Sequence, residues 1–276
     1  MTEKEYRSNP AISRSDLWKI RTTPEKFKYE MENPTPPSPA LLFGQVVHGM
    51  LLLTREAFDE QFAAAPNVDR RTKAGKYEYA AFLAANEGKT VVPSDMYDLA
   101  ASMAEAAMNV PFVKKLLDGE HERPFFWTDG QTGEACKCRT DCVTTVGGQL
   151  VIVDYKSTTD ASADAFQRDA FRYGYDFQSA MYTDGVLHNL ANTDVLTALN
   201  AGEAPKFVFI AQEKDPPYAV NIFEADRFFV QHGYDIYREL LGTYHYCRTA
   251  DDWYGYLGRT QDINTLGLPA WMAKEG

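Results

Sequence analysis

Two apolar runs dominate the chain, and their lengths predict different elements. In QLVIVDYKS (residues 149–157) the apolar run is short, largely β-branched and preceded by Gly147-Gly148, which predicts a central strand entered from a tight turn. Residues 40–53 (ALLFGQVVHGMLLL) are apolar almost all the way round a helical wheel, which predicts a helix buried on most faces. Between these landmarks the periodicity alternates. Residues 13–32 open with Ser/Asp capping chemistry, space Leu17 and Ile20 as a helix does and break at Thr23-Pro24, predicting two short helices. The proline-rich NPTPPSP (33–39) is a stiff connector, because proline fixes φ and donates no hydrogen bond. Helices are predicted over 77–86, 93–118, 161–173 and 175–190, the last two split near Gly174, and a long one over 226–248. Strands are predicted over 122–129 and 136–142, which with 149–157 form an antiparallel meander, and over 206–214 and 218–224.

This order predicts an α/β fold in one domain, with a mixed central sheet flanked by helices. Residues 1–120 form a mainly helical part, 121–225 the core, and 226–276 a C-terminal helix and loop-like tail. At 276 residues the chain can bury a large core without disulfides. Its four cysteines, a start without signal architecture and no apolar run near the ~18 residues of a membrane span point to a soluble, cytoplasmic protein. The formal net charge of -11 argues against nucleic acid in general, so such a partner would need a local basic surface. DRRTKAGK supplies one: Arg70, Arg71, Lys73 and Lys76 lie in a Gly-containing segment that reads as mobile, either solvated charge or a phosphate-contacting loop.

The chemistry concentrates in CKCRTDCVTTVGGQLVIVDYKS (136–157). Strand alternation places Lys137, Arg139 and Asp141 on one face and Cys136, Cys138, Thr140 and Cys142 on the other. Cysteines in a row do not converge tetrahedrally, so they and Cys247 read as packing residues rather than metal ligands. On the second strand Asp154 and Lys156 share a face. Two buried aspartates side by side are costly unless a cation binds them, and oxygen ligands select Mg²⁺ or Mn²⁺, as one ion or two. Lys156 could then orient or deprotonate the attacking water, or neutralise charge developing on a phosphorane-like transition state. Gln178 and Tyr182 stand four apart on one helix face, suited to a phosphate or base beside the metal. His48 reads as a core histidine unless carboxylates join it, and Glu122 as a solvated glutamate, with a metal role as the alternative.

With these positions together, the sequence resembles the PD-(D/E)XK nuclease superfamily and, within it, the exonuclease VIII (RecE-type) branch of phages and prophages. Phe43-Gly44 followed by His48 resembles the first motif, Asp141 and Asp154-Tyr155-Lys156 the metal-binding and catalytic core, and Gln178 with Tyr182 the Gln-x-x-x-Tyr motif. Softer likenesses are residues 13–24, DRRTKAGK and the Leu268-Pro269-Ala270-Trp271 ending. The second acid is aspartate where much of the superfamily has glutamate. The resemblance implies Mg²⁺-dependent, processive 5′-to-3′ digestion of linear double-stranded DNA from its ends in phage-type recombination inside a bacterial host. It implies metal ligation by Asp141 and Asp154, with His48 a further metal ligand or a phosphate contact and Glu122 open, and DNA contacts from Arg139, Gln178, Tyr182 and the basic segment. It also implies ring-shaped homo-oligomers and a single-strand annealing protein as partner. A non-processive endonuclease or end-trimming nuclease, and a DNA-end binding protein without turnover, are the competing expectations.

Overall fold

The computed structural model describes residues 1, 3–258, 263 and 265–268. Of the tail motif, Pro269, Ala270 and Trp271 lie outside the described residues. The chain begins with α1 (Glu3–Ser8) and β1 (Ile12–Ser13), then α2 (Arg14–Ile20) and α3 (Pro24–Glu32). Their boundaries follow the capping chemistry: Ser13 and Asp16 form a reciprocal capping box, and Thr23 caps α3 with Pro24 in its first turn. Past the proline-rich connector, Ser38 caps α4 (Pro39–Leu52), the apolar helix. Next come α5 (Arg55–Gln61), β2 (Phe62–Ala64), α6 (Lys73–Ala85), β3 (Thr90–Val92), α7 (Ser94–Met108) and α8 (Pro111–Leu116). The core strands β4 (Glu120–Thr128), β5 (Ala135–Val146) and β6 (Gln149–Thr158) lead into α9 (Ala163–Tyr173), α10 (Tyr175–Leu190) and α11 (Val195–Ala201). Strands β7 (Lys206–Glu213) and β8 (Val220–Ala225) and the long α12 (Arg227–Ala250) close the fold.

The main sheet runs β1-β5-β6-β7-β8, with β4 on the other edge of β5. Pairings β4–β5, β5–β6 and β7–β8 are antiparallel, whereas β1–β5 and β6–β7 are parallel, so the sheet is mixed as expected. Strand β6 sits between β5 and β7, and both its faces are covered. Ile152 packs with Phe177, Phe207 and Tyr237 on the side of α2, α9, α10 and α12. Val151, Val153 and Tyr155 pack with Val46, Met103 and Leu116 on the side of α4, α7 and α8. Each fully buried side chain of this kind contributes roughly 1.5–3 kcal/mol, which is why the continuous apolar run takes the central position.

Three expectations are corrected here. The helix predicted over 93–118 is two, because Pro111 cannot continue the ladder; it starts α8 instead, after Asn109 ends α7. The segment expected to be mobile is ordered: Thr72 caps α6 four residues earlier than predicted, so Lys73 and Lys76 are helical, and Gly75 approaches the Asp69 carbonyl too closely for any side chain. The cysteines do not share a face. Cys136 and Cys138 pack in one layer and Cys142 in the other; between them the β4–β5 ladder lacks a pair, between Arg123↔Thr140 and His121↔Cys142, where Glu122 takes φ 49°. All four cysteines are free and buried, in keeping with a packing role.

Candidate active site

The site forms where β5 and β6 lie side by side between the two helical layers. Asp141 comes from β5, Asp154 and Lys156 from β6, His48 from α4 on one side, and Gln178 from α10 on the other. Asp154 is only 2% exposed. Its Oδ1 accepts a bond from Gln178 Nε2 at 2.5 Å, and Lys156 Nζ lies 2.5 Å from Oδ2. The two oxygens thus have different partners, the Gln178 amide on Oδ1 and the Lys156 ammonium on Oδ2. A buried carboxylate oxygen with spare lone pairs, beside a second carboxylate, has the character of a cation ligand.

Asp141 is anchored differently. Its Oδ2 accepts the backbone N–H of Tyr155 at 2.7 Å and lies 3.3 Å from His48 Nδ1. The imidazole meets the Tyr155 ring edge-on at 5.3 Å, and that ring is fixed by its hydroxyl donating to Gln212 Oε1 at 2.6 Å. His48 is therefore more than a core histidine. Glu122 is not a solvated glutamate either: it is half-buried, and Arg139 Nε stands 2.7 Å from its Oε2. Donor atoms of His48, Glu122 and Asp141 all lie within 4.8 Å of one another. The left-handed φ of Glu122 turns this side chain out of the regular ladder, a conformation that a non-glycine residue holds only when its surroundings enforce it.

The electrostatics separate the two aspartates. Burial raises the Asp154 carboxyl above its ordinary range, against Lys156, and the Asp141 charge raises it further. Burial acts on Asp141 too, but His48, Lys156 and the Tyr155 N–H outweigh it and hold that carboxyl low. Burial opposes charging of His48, yet the bond and charge of Asp141 win and its pKa lies above the ordinary value. One carboxylate resisting ionisation beside one that is firmly ionised is the state that a divalent ion would relieve. Three carboxylates and one imidazole form a hard, oxygen-rich donor set that fits Mg²⁺ or Mn²⁺.

The remaining sequence-predicted residues are distributed as follows. Gln178 faces Asp154 and is 6% exposed, so it holds the carboxylate rather than presenting its amide to solvent. Tyr182 is half-buried, its ring 6.5 Å from that of Phe207, and burial pushes its phenol well up. Arg139 is engaged by Glu122 and lies 5.0 Å from the Tyr6 ring. In the basic segment Arg71 pairs with Asp69 at 2.9 Å and Arg70 stacks over Tyr79 at 4.7 Å, while Lys73 and Lys76 are exposed on α6.

Sequence reasoning missed Arg14. Its Nη2 donates to the carbonyl of Tyr173 and, at 2.8 Å, to that of Gly174, at the break between α9 and α10. Burial lowers its pKa, and Asp154, Tyr175, Asp176 and Tyr182 are close enough to oppose that effect. Trp18, one helical turn on, stacks on Phe177 at 5.7 Å and fills the space beside Gly174, where φ is +67°. An arginine at the first position of a short amphipathic helix carries no sequence signal for such a role.

Comparison with known proteins accords with this geometry. A crystal structure from Eubacterium rectale, of a protein provisionally described as an exonuclease, aligns with 100% of this chain and 98% of its own at 16% identity, with a TM-score of 0.64. The structure of SSO0001 aligns with 73% of this chain and 85% of its own at 13% identity, but a TM-score of 0.29 carries no argument. No curated protein matches the sequence. The expected fold class, a mixed sheet flanked by helices as in PD-(D/E)XK nucleases, is what the structure shows. Residues 13–264 match the profile of a family described as a PDDEXK-like domain of unknown function, and the chain belongs to that family.

Proposed function

We propose that the protein is a Mg²⁺- or Mn²⁺-dependent exodeoxyribonuclease that hydrolyses linear double-stranded DNA from its ends, in the 5′-to-3′ direction. The observation that carries the reading is the convergence of His48, Glu122 and Asp141 donor atoms within 4.8 Å, beside the buried carboxylate of Asp154. These four residues would hold the metal, which when bound would polarise the phosphate and lower the pKa of a bound water. Lys156, 2.5 Å from Asp154, orients the attacking water and places positive charge where the phosphorus gains negative charge. Water oxygen bonds to phosphorus and its proton passes to solvent, while one ester P–O bond breaks, its electron pair leaving with the sugar oxygen, which takes a proton from solvent to become a hydroxyl. Gln178 holds Asp154 at a fixed angle throughout, so the carboxylate needs no reorganisation during the reaction.

The E. rectale protein, related in fold, is the support for an exonuclease rather than an endonuclease. The wider proposal is a role in phage-type recombination, as a ring-shaped homo-oligomer that leaves a single strand for an annealing protein. Duplexes labelled at either the 5′ or the 3′ end, with and without Mg²⁺, test the reading, with closed circular duplex as the control. Early release of the 5′ label and an intact circle are expected, and Asp154→Ala should abolish release. Cleavage of the circle would favour the endonuclease, and DNA binding without any release would favour the non-catalytic end binder.

A further inference from the structure

Beyond the metal-binding cluster, a row of rings and cations leads from Lys156 to the surface. Lys156 Nζ lies 4.9 Å from the centroid of the Tyr175 ring. Tyr175 stacks on Tyr173 at 6.0 Å with an interplanar angle of 30°. The guanidinium of Arg172 lies over Tyr173 at 5.3 Å. Packing accounts for Tyr175, whose ring rests on Phe209 at 5.6 Å and Phe166 at 5.8 Å. It does not account for Tyr173, which is 45% exposed.

The backbone beneath the two rings is fixed. Gly174 lies between them at φ +67°, turning the chain from α9 into α10, and Arg14 ties the carbonyls of Tyr173 and Gly174 to α2. The rings are thus presented by a braced corner rather than by a pliant loop. This corner also carries two cations, Arg172 and the Lys156 that pairs with Asp154, in a chain whose formal net charge is -11.

From this juxtaposition we infer that Tyr173, with Arg172 beside it, is a stacking platform for an unpaired nucleotide next to the phosphodiester bound at Lys156. The inference rests on the nuclease reading for its location, and it adds a substrate class: single-stranded nucleic acid at the mouth of the site. An exposed ring recognises the face of any base, and the guanidinium meets the adjoining phosphate, so the platform is tolerant of sequence. An end-acting nuclease must separate the terminal base pair to bring a phosphate to a buried metal site, and a ring here would hold the base that has lost its partner.

The experiment compares a fluorescein-labelled oligothymidylate of about twelve nucleotides, a length within the range of single-strand sites, with an abasic strand of the same phosphate number. Binding is read by anisotropy in EDTA, so that no hydrolysis intervenes. Wild type should bind the base-bearing strand about tenfold tighter than the abasic one, the effect of one stacked base. Tyr173→Ala and Tyr173→Leu should lose the preference and Tyr173→Phe should keep it. Thermal melting of each variant checks the fold, and the leucine retains bulk without a π face. Equal binding of the two strands by wild type, or an unchanged preference in the folded alanine or leucine variant, overturns the platform. If wild type degrades duplex DNA yet shows no preference, the platform fails and the nuclease reading stands; a Tyr173-dependent preference without hydrolysis gives the reverse.

Discussion

Gln178 Nε2 donates to Asp154 Oδ1 at 2.5 Å, across 24 positions of sequence, and couples α10 directly to the carboxylate at the centre of β6. The bond leaves Asp154 Oδ2 facing Lys156 with lone pairs to spare. Its consequence is orientational, because a carboxylate that accepts a bond on one oxygen presents the other in one direction.

Gln178→Leu should therefore weaken Mn²⁺ or Mg²⁺ binding by about 10–100-fold, the usual effect of removing a partner that orients a ligand. Isothermal titration of the metal measures this directly. Metal should also raise the melting temperature of wild type relative to EDTA, since an ion that binds only the folded chain adds about 2.7 kcal/mol at a hundred times its dissociation constant. The Asp141→Asn/Asp154→Asn double variant should show no such rise. An unaltered metal affinity in Gln178→Leu would mean that the amide merely fills space.

Helix α10 is set against α12 at a point where no side chain fits. A Cβ at Gly233 would stand 1.9 Å from the carbonyl oxygen of Asp176 and 2.7 Å from the amide nitrogen of Phe177. These are backbone atoms that cannot swing away, so Gly233→Ala must push the helices apart and shift Gln178 with them. Overpacking of this kind costs about 1–3 kcal/mol, which for a chain of this size lowers the melting temperature by roughly 2–5 °C. A scan showing an unchanged midpoint would contradict the close approach.

The sheet and the Asp141, Asp154, Lys156 trio were legible because strand alternation and a continuous apolar run are local signals that survive into the fold. His48 could be flagged only through its company. What stayed hidden depends on contacts distant in sequence or on backbone conformation. Glu122 reaches the cluster through a left-handed φ that no residue type announces. Cys142 lies in the layer opposite Cys136 and Cys138, where uninterrupted alternation would put all three together. Arg14 acts across about 160 positions, on carbonyls whose freedom to accept depends on Gly174 ending α9.

In the basic segment Lys73 and Lys76 are exposed and, among the described residues, have no ion-pair partner. Arg71 already pairs with Asp69 and Arg70 lies on Tyr79, whereas Lys73 and Lys76 project from α6. Lys73→Ala/Lys76→Ala should weaken duplex binding and reduce the slope of log K against log salt by about 2, since each neutralised phosphate contributes about 0.9. Adding Arg71→Ala should change the slope less than either lysine, because its charge is partly spent on Asp69. A slope that does not move would return the segment to ordinary solvated surface.

Acid stability should report on one buried ion pair that takes no part in the His48, Glu122 and Asp141 group, that of Asp129 with Arg238. Asp129, only 3% exposed, accepts bonds from both terminal nitrogens of Arg238 on α12 and from the amide and hydroxyl of Thr132. Burial would raise its carboxyl, but Arg238 and Thr132 outweigh it and bring the pKa down from 3.8 to about 2. A carboxyl depressed on folding adds stability above its unfolded pKa and loses it as pH falls through the folded one. The window is therefore about pH 4 down to about 2, and the linked contribution at neutral pH is at most about 2 kcal/mol. Urea unfolding of wild type and Asp129→Asn should differ most near pH 7, and the gap should narrow by up to that amount as the pH drops to about 2. Comparing the two proteins removes the other carboxyls that titrate in the same range. A gap that stays constant with pH would show that Asp129 contributes through neutral hydrogen bonds and not through its charge on Arg238.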